Sequence, residues 1–303
     1  MNEKPPETPV TVLALIERMA ARLEAAGLSF SDGFGQGTTN AFDEAAWLVL
    51  WQLGLPLDDL DSVANKPVVH EKLSQVAMLF DKRISSRKPA AYLTNEAWLM
   101  GVPFYVDERV IIPRSLIAEL LDDGSIDPWL SDDTRRVLDL CTGNGSLAVL
   151  AAMTYPDVSV DAADISPDAL AVARINIDKH QLASRITLIE SDGLSACRGA
   201  EIGGYDLILC NPPYVNAASM AALPAEFRAE PDLALAGGAD GMDVIRNLFL
   251  TAAAQMNENA VLVLEIGNER ENFERAFPHL EPLWFETSAG SDQVLLLTRE
   301  QLA

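Results

Sequence analysis

From about Val137 onward, apolar stretches of strand length alternate with helical patterns, and this rhythm constrains the fold more than any other feature of the chain. "RVLDLC" reads as a strand and "SLAVLAAMTY" as a helix. "VSVDAADI" is the next strand, followed by "PDALAVARINIDKH", a helix with Pro167 in its first turn. The strands "ITLIES", "YDLILC" and "AVLVLEIG" come after it. Apolar strands separated by amphipathic helices form a largely parallel sheet covered on both faces. "LWFETSA" and "QVLLLTR" lie close enough to pair as an antiparallel hairpin at one edge, which makes seven strands in all. The expected fold is α/β, with a mostly parallel seven-stranded sheet.

The residues before this unit differ. Thr8 is a candidate cap with Pro9 at the first helical position, and Val12, Leu15, Ile16, Met19 and Leu23 share one face up to Gly27. "SDGFGQGTTN" is a glycine-rich loop, Asn40 can cap "AFDEAAWLVLWQL", and a third helical pattern runs from about Val69 to Ser86. No chemical constellation appears here, so residues 1–88 read as a small helical domain for recognition or packing. In "PAAYLTNEAWLMGVPFYVDERVIIPR" two aromatic and β-branched stretches flank Gly101, a hairpin signal. Residues 89–115 are thus expected to link the helical domain to a catalytic domain at 116–303.

The chain has 303 residues, and its 22 Lys plus Arg against 45 Asp plus Glu leave a net charge of −23. That balance argues against general affinity for nucleic-acid backbone and suits a basic protein partner. Cys141, Cys197 and Cys210 show no CxxC spacing, which fits a reducing cytoplasm. "MNEKPPETP" lacks a signal-peptide design, and no apolar run approaches the ~20 residues that span a bilayer. His70, His180 and His279 are scattered, without metal-ligand spacing.

"DLCTGNGSLA" places Gly143 and Gly145 between a strand and a helix, where a ligand can approach bare backbone. Gly143-x-Gly145-x-x-Ala148 also satisfies a dinucleotide fingerprint, with Asp164 near the offset of a ribose-binding acid, so an NAD enzyme is a competing reading. Asp139 tilts against it. A carboxylate just ahead of the glycines has the wrong sign for a pyrophosphate and the right sign for an amine or a sulfonium, unless it merely caps the following helix. Asp164 suits any ribose diol, because a carboxylate accepts from both hydroxyls.

"CNPPYV" follows the fourth strand. Asparagine, two prolines and a tyrosine suit methylation of a planar nitrogen by S-adenosylmethionine. An amide or exocyclic amine is a poor nucleophile with two in-plane N–H donors. The Asn211 side-chain oxygen and the Pro212 carbonyl can accept one each. Pro213 confines Pro212 to extended angles, and the Tyr214 ring can lie against the planar group. No separate general base is demanded, since the proton becomes acidic as the N–C bond forms.

With these residues in view, the chain resembles the class I methyltransferases of the HemK/Prm group, which methylate glutamine amides in translation proteins. "YLTNEAWLMGVPFYVDERVIIPRS", "LDLCTGNGSLA", "DAADISPDALAVARINIDKH" and "CNPPYV" resemble its PrmB branch, associated with a glutamine of the third protein of the large ribosomal subunit. The sister PrmC branch, which acts on the release-factor GGQ motif, reads "IPRPETE" where this chain has "IPRSLIAEL". The resemblance covers residues 85–303 strongly and the N-terminus loosely. It implies S-adenosylmethionine as cofactor. Cys141, Thr142, Gly143, Asn144 and Gly145 would meet its methionine end and Asp164 its ribose, with Asp139 and Ile165 also among the cofactor-binding residues. Asp192 and Gly193 would lie near adenine, although relatives often carry an aromatic residue where Gly193 stands. Asn211 would touch both cofactor and glutamine, with Pro212, Pro213 and Tyr214 completing the substrate pocket. "EPDLALAGGADGMD" resembles a family segment that lines the substrate opening or merely enters a helix. A nucleic-acid adenine methyltransferase and an inactive binding module on the same fold are the remaining alternatives.

Overall fold

The computed structural model describes residues 9–28 and 37–303, which divide into two compact units. The first comprises the chain up to Asn95 together with Pro224–Ala229, and the second Glu96–Leu223 together with Glu230–Ala303. The divide falls later than residue 88. A short helix, Ala90–Thr94, belongs to the helical unit, and the hairpin belongs to the sheet unit rather than standing between two domains.

The helical unit is built on Val12–Ala25, Ala41–Leu53 and His70–Ser86, with a single turn at Leu60–Val63. Leu15, Ile16 and Leu23 pack with Leu48, Val49, Val76 and Phe80 in one apolar cluster. Thr8 lies outside the described residues, as does the glycine-rich stretch through residue 36. The cap of the first helix is Thr11, whose hydroxyl accepts from the Ala14 N–H at 3.3 Å. Thr11→Ala is expected to lower the stability of this unit by about 1 kcal/mol, read as a shifted denaturant midpoint with unchanged slope. Asn40 caps the second helix as expected, accepting from the Asp43 N–H at 2.9 Å. Arg83 is fully buried between Glu44 (2.8 Å) and Glu226 (3.1 Å), and Arg87 reaches the same Glu226 at 2.6 Å. Buried charge persists only when paired in this way, and the pairing holds residues 224–229 within the helical unit.

In the sheet unit, β1 (Ala97–Leu99) and β2 (Val102–Phe104) form the antiparallel hairpin around Gly101. The main strands are β3 (Arg136–Leu140), β4 (Ser159–Asp164), β5 (Ile186–Glu190), β6 (Tyr205–Cys210), β7 (Met256–Glu265), β8 (Leu283–Trp284) and β9 (Val294–Thr298). Their order is β5-β4-β3-β6-β7-β9-β8, parallel through β7, with β9 antiparallel to both β7 and β8. The final hairpin therefore sits at one edge. β7 begins four residues earlier than its apolar run, because Met256 pairs with Tyr205 across a register shift.

Alternation along the strands divides the apolar residues between two faces. Val137, Val160, Leu207, Leu209 and Val263 join a cluster with the helix Ser146–Thr154, and Leu138, Leu140, Ile208 and Leu264 join another with Ile245 and Phe273. The helix Ser146–Thr154 is apolar on every side and buried from Ser146 through Ala152, as a helix without a wet face must be. Strand order reverses between β3 and β6. In open α/β sheets the carboxyl ends at such a switch point leave a crevice for ligands. No helix among the described residues is long and apolar enough to cross a membrane.

Candidate active site

A cavity opens at the carboxyl ends of β3, β4 and β6. Its lining includes Cys141, Thr142, Gly143 and Asn144 from the first loop, Asp164 and Ile165 after β4, Asp192 and Gly193 after β5, and Asn211 and Pro213 after β6. Ten of the residues singled out in the sequence thus meet in one place. Asp139, Gly145, Pro212 and Tyr214 do not line it.

The glycine loop has the geometry a close ligand needs. Gly143 has φ +56°, and a Cβ added there would project into open space. Gly145 has φ +80° and abuts the Cβ of Ala173 in the next helix, so its smallness serves helix packing behind the loop. Cys141 also takes a positive φ, +61°, an uncommon conformation for a residue other than glycine. Asn144 is buried; its Oδ1 accepts from the Ser146 N–H, while its Nδ2 has no partner among the described residues.

Asp164 is a half-buried carboxylate held at the glycine loop. Its Oδ2 accepts from the Gly143 N–H and its Oδ1 from the Ser166 N–H, each at 2.9 Å. Each oxygen keeps a further lone pair, which fits a vicinal diol. Burial raises its pKa, and the backbone donors Ser166, Gly143 and Ile165 oppose that rise.

Asp139 faces the other way. Its Oδ2 accepts from the Thr142 hydroxyl and from the Ala148 N–H at 2.9 Å, so it closes the first turn of the helix Ser146–Thr154 rather than facing a ligand. Its Oδ1 has no partner among the described residues. Burial pushes its pKa up to about 7 against those two hydrogen bonds, with the Asp164 charge adding to the rise. The folded chain therefore holds this proton more tightly than the unfolded chain. The resulting stabilisation is full below the usual carboxylate range and is lost as pH rises through about 7. Asp139→Asn keeps the acceptor but buries an unpaired N–H. The variant lacks this titration, so its stability relative to the parent is expected to rise as pH rises through that window. The gap should change by about 1.4 kcal/mol for each pH unit within that window. Parallel pH-stability curves for the two chains would remove Asp139 as the titrating group.

Asn211 directly follows β6, and its side chain has no hydrogen bond to the protein among the described residues, which leaves the amide open to a ligand. Tyr214 was expected against a planar substrate group. Its ring instead covers Gly267, where an added Cβ would come within 2.4 Å of Cε2, and its hydroxyl points to Glu265 Oε1 at 3.4 Å. Gly237 and Gly241 press on its backbone. Tyr214 thus pins the loop from behind, and burial, with the Glu265 charge, raises its pKa.

Other contributors carried weaker signals. Arg109–Val110 and Pro113–Ser115 line the cavity, as do Pro231, Leu233, Ala234 and Ala236. Glu230 is buried, accepting from the Ile112 N–H at 3.0 Å and from both Arg114 Nη atoms at 2.6 and 2.7 Å. Glu265 is buried too, accepting from the Ser115 hydroxyl at 2.6 Å and the Leu116 N–H at 2.9 Å. Asn176 is buried on the apolar face of its helix, donating to the carbonyls of Tyr105 and Asn144 and accepting from the Tyr105 N–H. A polar residue in an otherwise apolar stripe was the one sequence sign of that role.

A mostly parallel sheet in this order, with a glycine loop and a half-buried carboxylate at its switch point, has the class I methyltransferase architecture. Residues 118–260 match the Methyltransferase small domain family. Over 294 residues the chain is 52% identical to the ribosomal protein uL3 glutamine methyltransferase of Bordetella pertussis, covering 96% of each. It is 49% identical over 298 residues to that of Burkholderia pseudomallei, covering 96% of this chain and 95% of the relative. The Neisseria gonorrhoeae enzyme is 47% identical over 294 residues, 96% of this chain and 95% of the relative. The chain belongs to the uL3 glutamine methyltransferase family, the branch its sequence resembles, and is an enzyme.

Proposed function

We propose that this enzyme transfers a methyl group from S-adenosylmethionine to the side-chain amide nitrogen of a glutamine in ribosomal protein uL3. The observation that carries the reading is Asn211, an unengaged amide held at the end of β6 in the same cavity as Asp164 and the glycine loop. Membership of the uL3 family supplies the substrate.

The cavity fits the cofactor. Asp164 retains acceptors for a ribose diol, the bare Gly143 backbone leaves room, and the unpartnered Nδ2 of Asn144 suits a carboxylate such as that of the methionine end. Ile165, half exposed in the lining, offers an apolar surface for adenine, with Asp192 as a hydrogen-bond acceptor and open space at Gly193. When bound, S-adenosylmethionine supplies an electrophilic methyl group on a sulfonium.

The chain's own residues hold the nucleophile. The Asn211 side-chain oxygen and the Pro212 carbonyl accept the two N–H bonds of the glutamine amide and orient its nitrogen. Both acceptors gain strength as positive charge develops on that nitrogen. Pro213 limits the backbone of Pro212, and Tyr214 holds the loop through Gly267 and Glu265. The proton that leaves is acidic by then and passes to water. The net charge of −23 favours encounter with a basic ribosomal protein in the cytoplasm, where ribosomes work, and the helical unit serves as its reader.

The test is transfer of labelled methyl from S-adenosylmethionine into a panel of undermethylated uL3, a release factor and DNA. Label in a uL3 glutamine is the expected result. Label in the release factor instead would keep the chemistry and overturn the substrate, and label in DNA alone would overturn both.

A further inference from the structure

Two large apolar side chains in the cavity lining remain exposed, Ile165 at 48% and Leu233 at 58%. Ile165 follows Asp164 and belongs to the cofactor side. Leu233 has no such assignment. It sits in a tight turn, Asp232–Ala234, that begins after Pro231 and is closed by the Ala234 N–H on the Pro231 carbonyl and the Leu235 N–H on the Asp232 carbonyl.

The turn is fastened at both ends. Before it, the buried Glu230 carboxylate grips the Arg114 guanidinium with two hydrogen bonds and takes the Ile112 N–H. After it, the Val215 N–H donates to the Leu235 carbonyl at 2.8 Å and the Gly237 N–H to the Val215 carbonyl at 2.9 Å. Val215 directly follows Asn-Pro-Pro-Tyr, so the turn is coupled by backbone to the loop that carries Asn211. The backbone that carries this leucine is fixed, and more than half of its apolar surface lies open in the cavity.

We infer that Leu233 is a specificity-determining residue that packs against the aliphatic and backbone surface flanking the target glutamine in the protein substrate. The inference rests on the function proposed above. The ribose diol has Asp164 and the adenine the apolar side chain of Ile165, and the amide itself is met by Asn211 and Pro212. A peptide entering beside that loop presents the apolar surface the leucine lacks.

Steady-state kinetics with undermethylated uL3 test it, alongside calorimetric affinity for S-adenosylhomocysteine. Leu233→Ala is expected to raise KM for uL3 about tenfold, with kcat and cofactor affinity unchanged within twofold. Leu233→Met should restore KM to within about threefold of the parent, since methionine replaces the lost apolar volume. An unchanged KM in Leu233→Ala overturns the inference while leaving the function intact. KM and cofactor affinity weakening together would assign Leu233 to the cofactor and also overturn it. If the parent chain itself leaves uL3 unlabelled, the functional reading fails and this inference fails with it.

Discussion

Asn211→Ala is expected to lower turnover by two to three orders of magnitude while the protein stays folded. The loss follows from what the amide does in the proposed mechanism. Removing one preorganised group aimed at charge that develops in a transition state costs about 10²–10³ in kcat. Here the same group also fixes the direction of a delocalised, weakly nucleophilic nitrogen, so a misplaced lone pair compounds the loss. The fold should be indifferent, because the Asn211 side chain has no hydrogen bond to the protein among the described residues and β6 is held by β3 and β7 through its backbone. Single-turnover methyl transfer, with circular dichroism and a thermal melt as controls, separates the two effects. Residual activity above about a tenth of the parent would mean that another group orients the glutamine.

Asp164→Ala is expected to weaken cofactor binding at least a hundredfold. Hydrogen bonds to a charged acceptor contribute ~1.5–3 kcal/mol each, and a diol would make two of them. The structure adds a second cost. Asp164 already receives the N–H groups of Gly143 and Ser166, so its removal also leaves two backbone donors of the site without their acceptor. Asp164→Asn separates these contributions, since its amide keeps one oxygen acceptor and loses the charge. Its affinity should fall between those of the parent and the alanine variant. Calorimetry with S-adenosylhomocysteine reads the change directly, and near-normal affinity in Asp164→Ala would exclude the carboxylate from the ribose role.

That Asp164 and Asn211 share one cavity was legible in the sequence because the setting of each is local. A strand that ends in glycines, an acid at the end of the next strand and an asparagine fixed by two prolines are each fully specified within ten residues. The alternation of strands and helices was legible for the same reason, as were the Asn40 cap and the β1–β2 hairpin. The Thr11 cap, three residues beyond the expected one, was missed because several short polar residues near a helix start compete on equal terms until the first turn is placed.

What the sequence by itself determined, then, is the order of elements, the sheet that follows from them and the kind of chemistry at its switch point. Only the tertiary structure decided where individual side chains point. Asp139 turns to the Ala148 N–H instead of the cavity because the helix after the loop folds back over the end of β3. Tyr214 lies on Gly267 and reaches Glu265, more than fifty residues away. Arg114 joins the wall of the cavity because Glu230, from a distant loop, meets its guanidinium. Propensity and spacing act through near neighbours in the chain, whereas the direction of a buried polar group is set by whichever partner satisfies it, and that partner is brought there by packing alone.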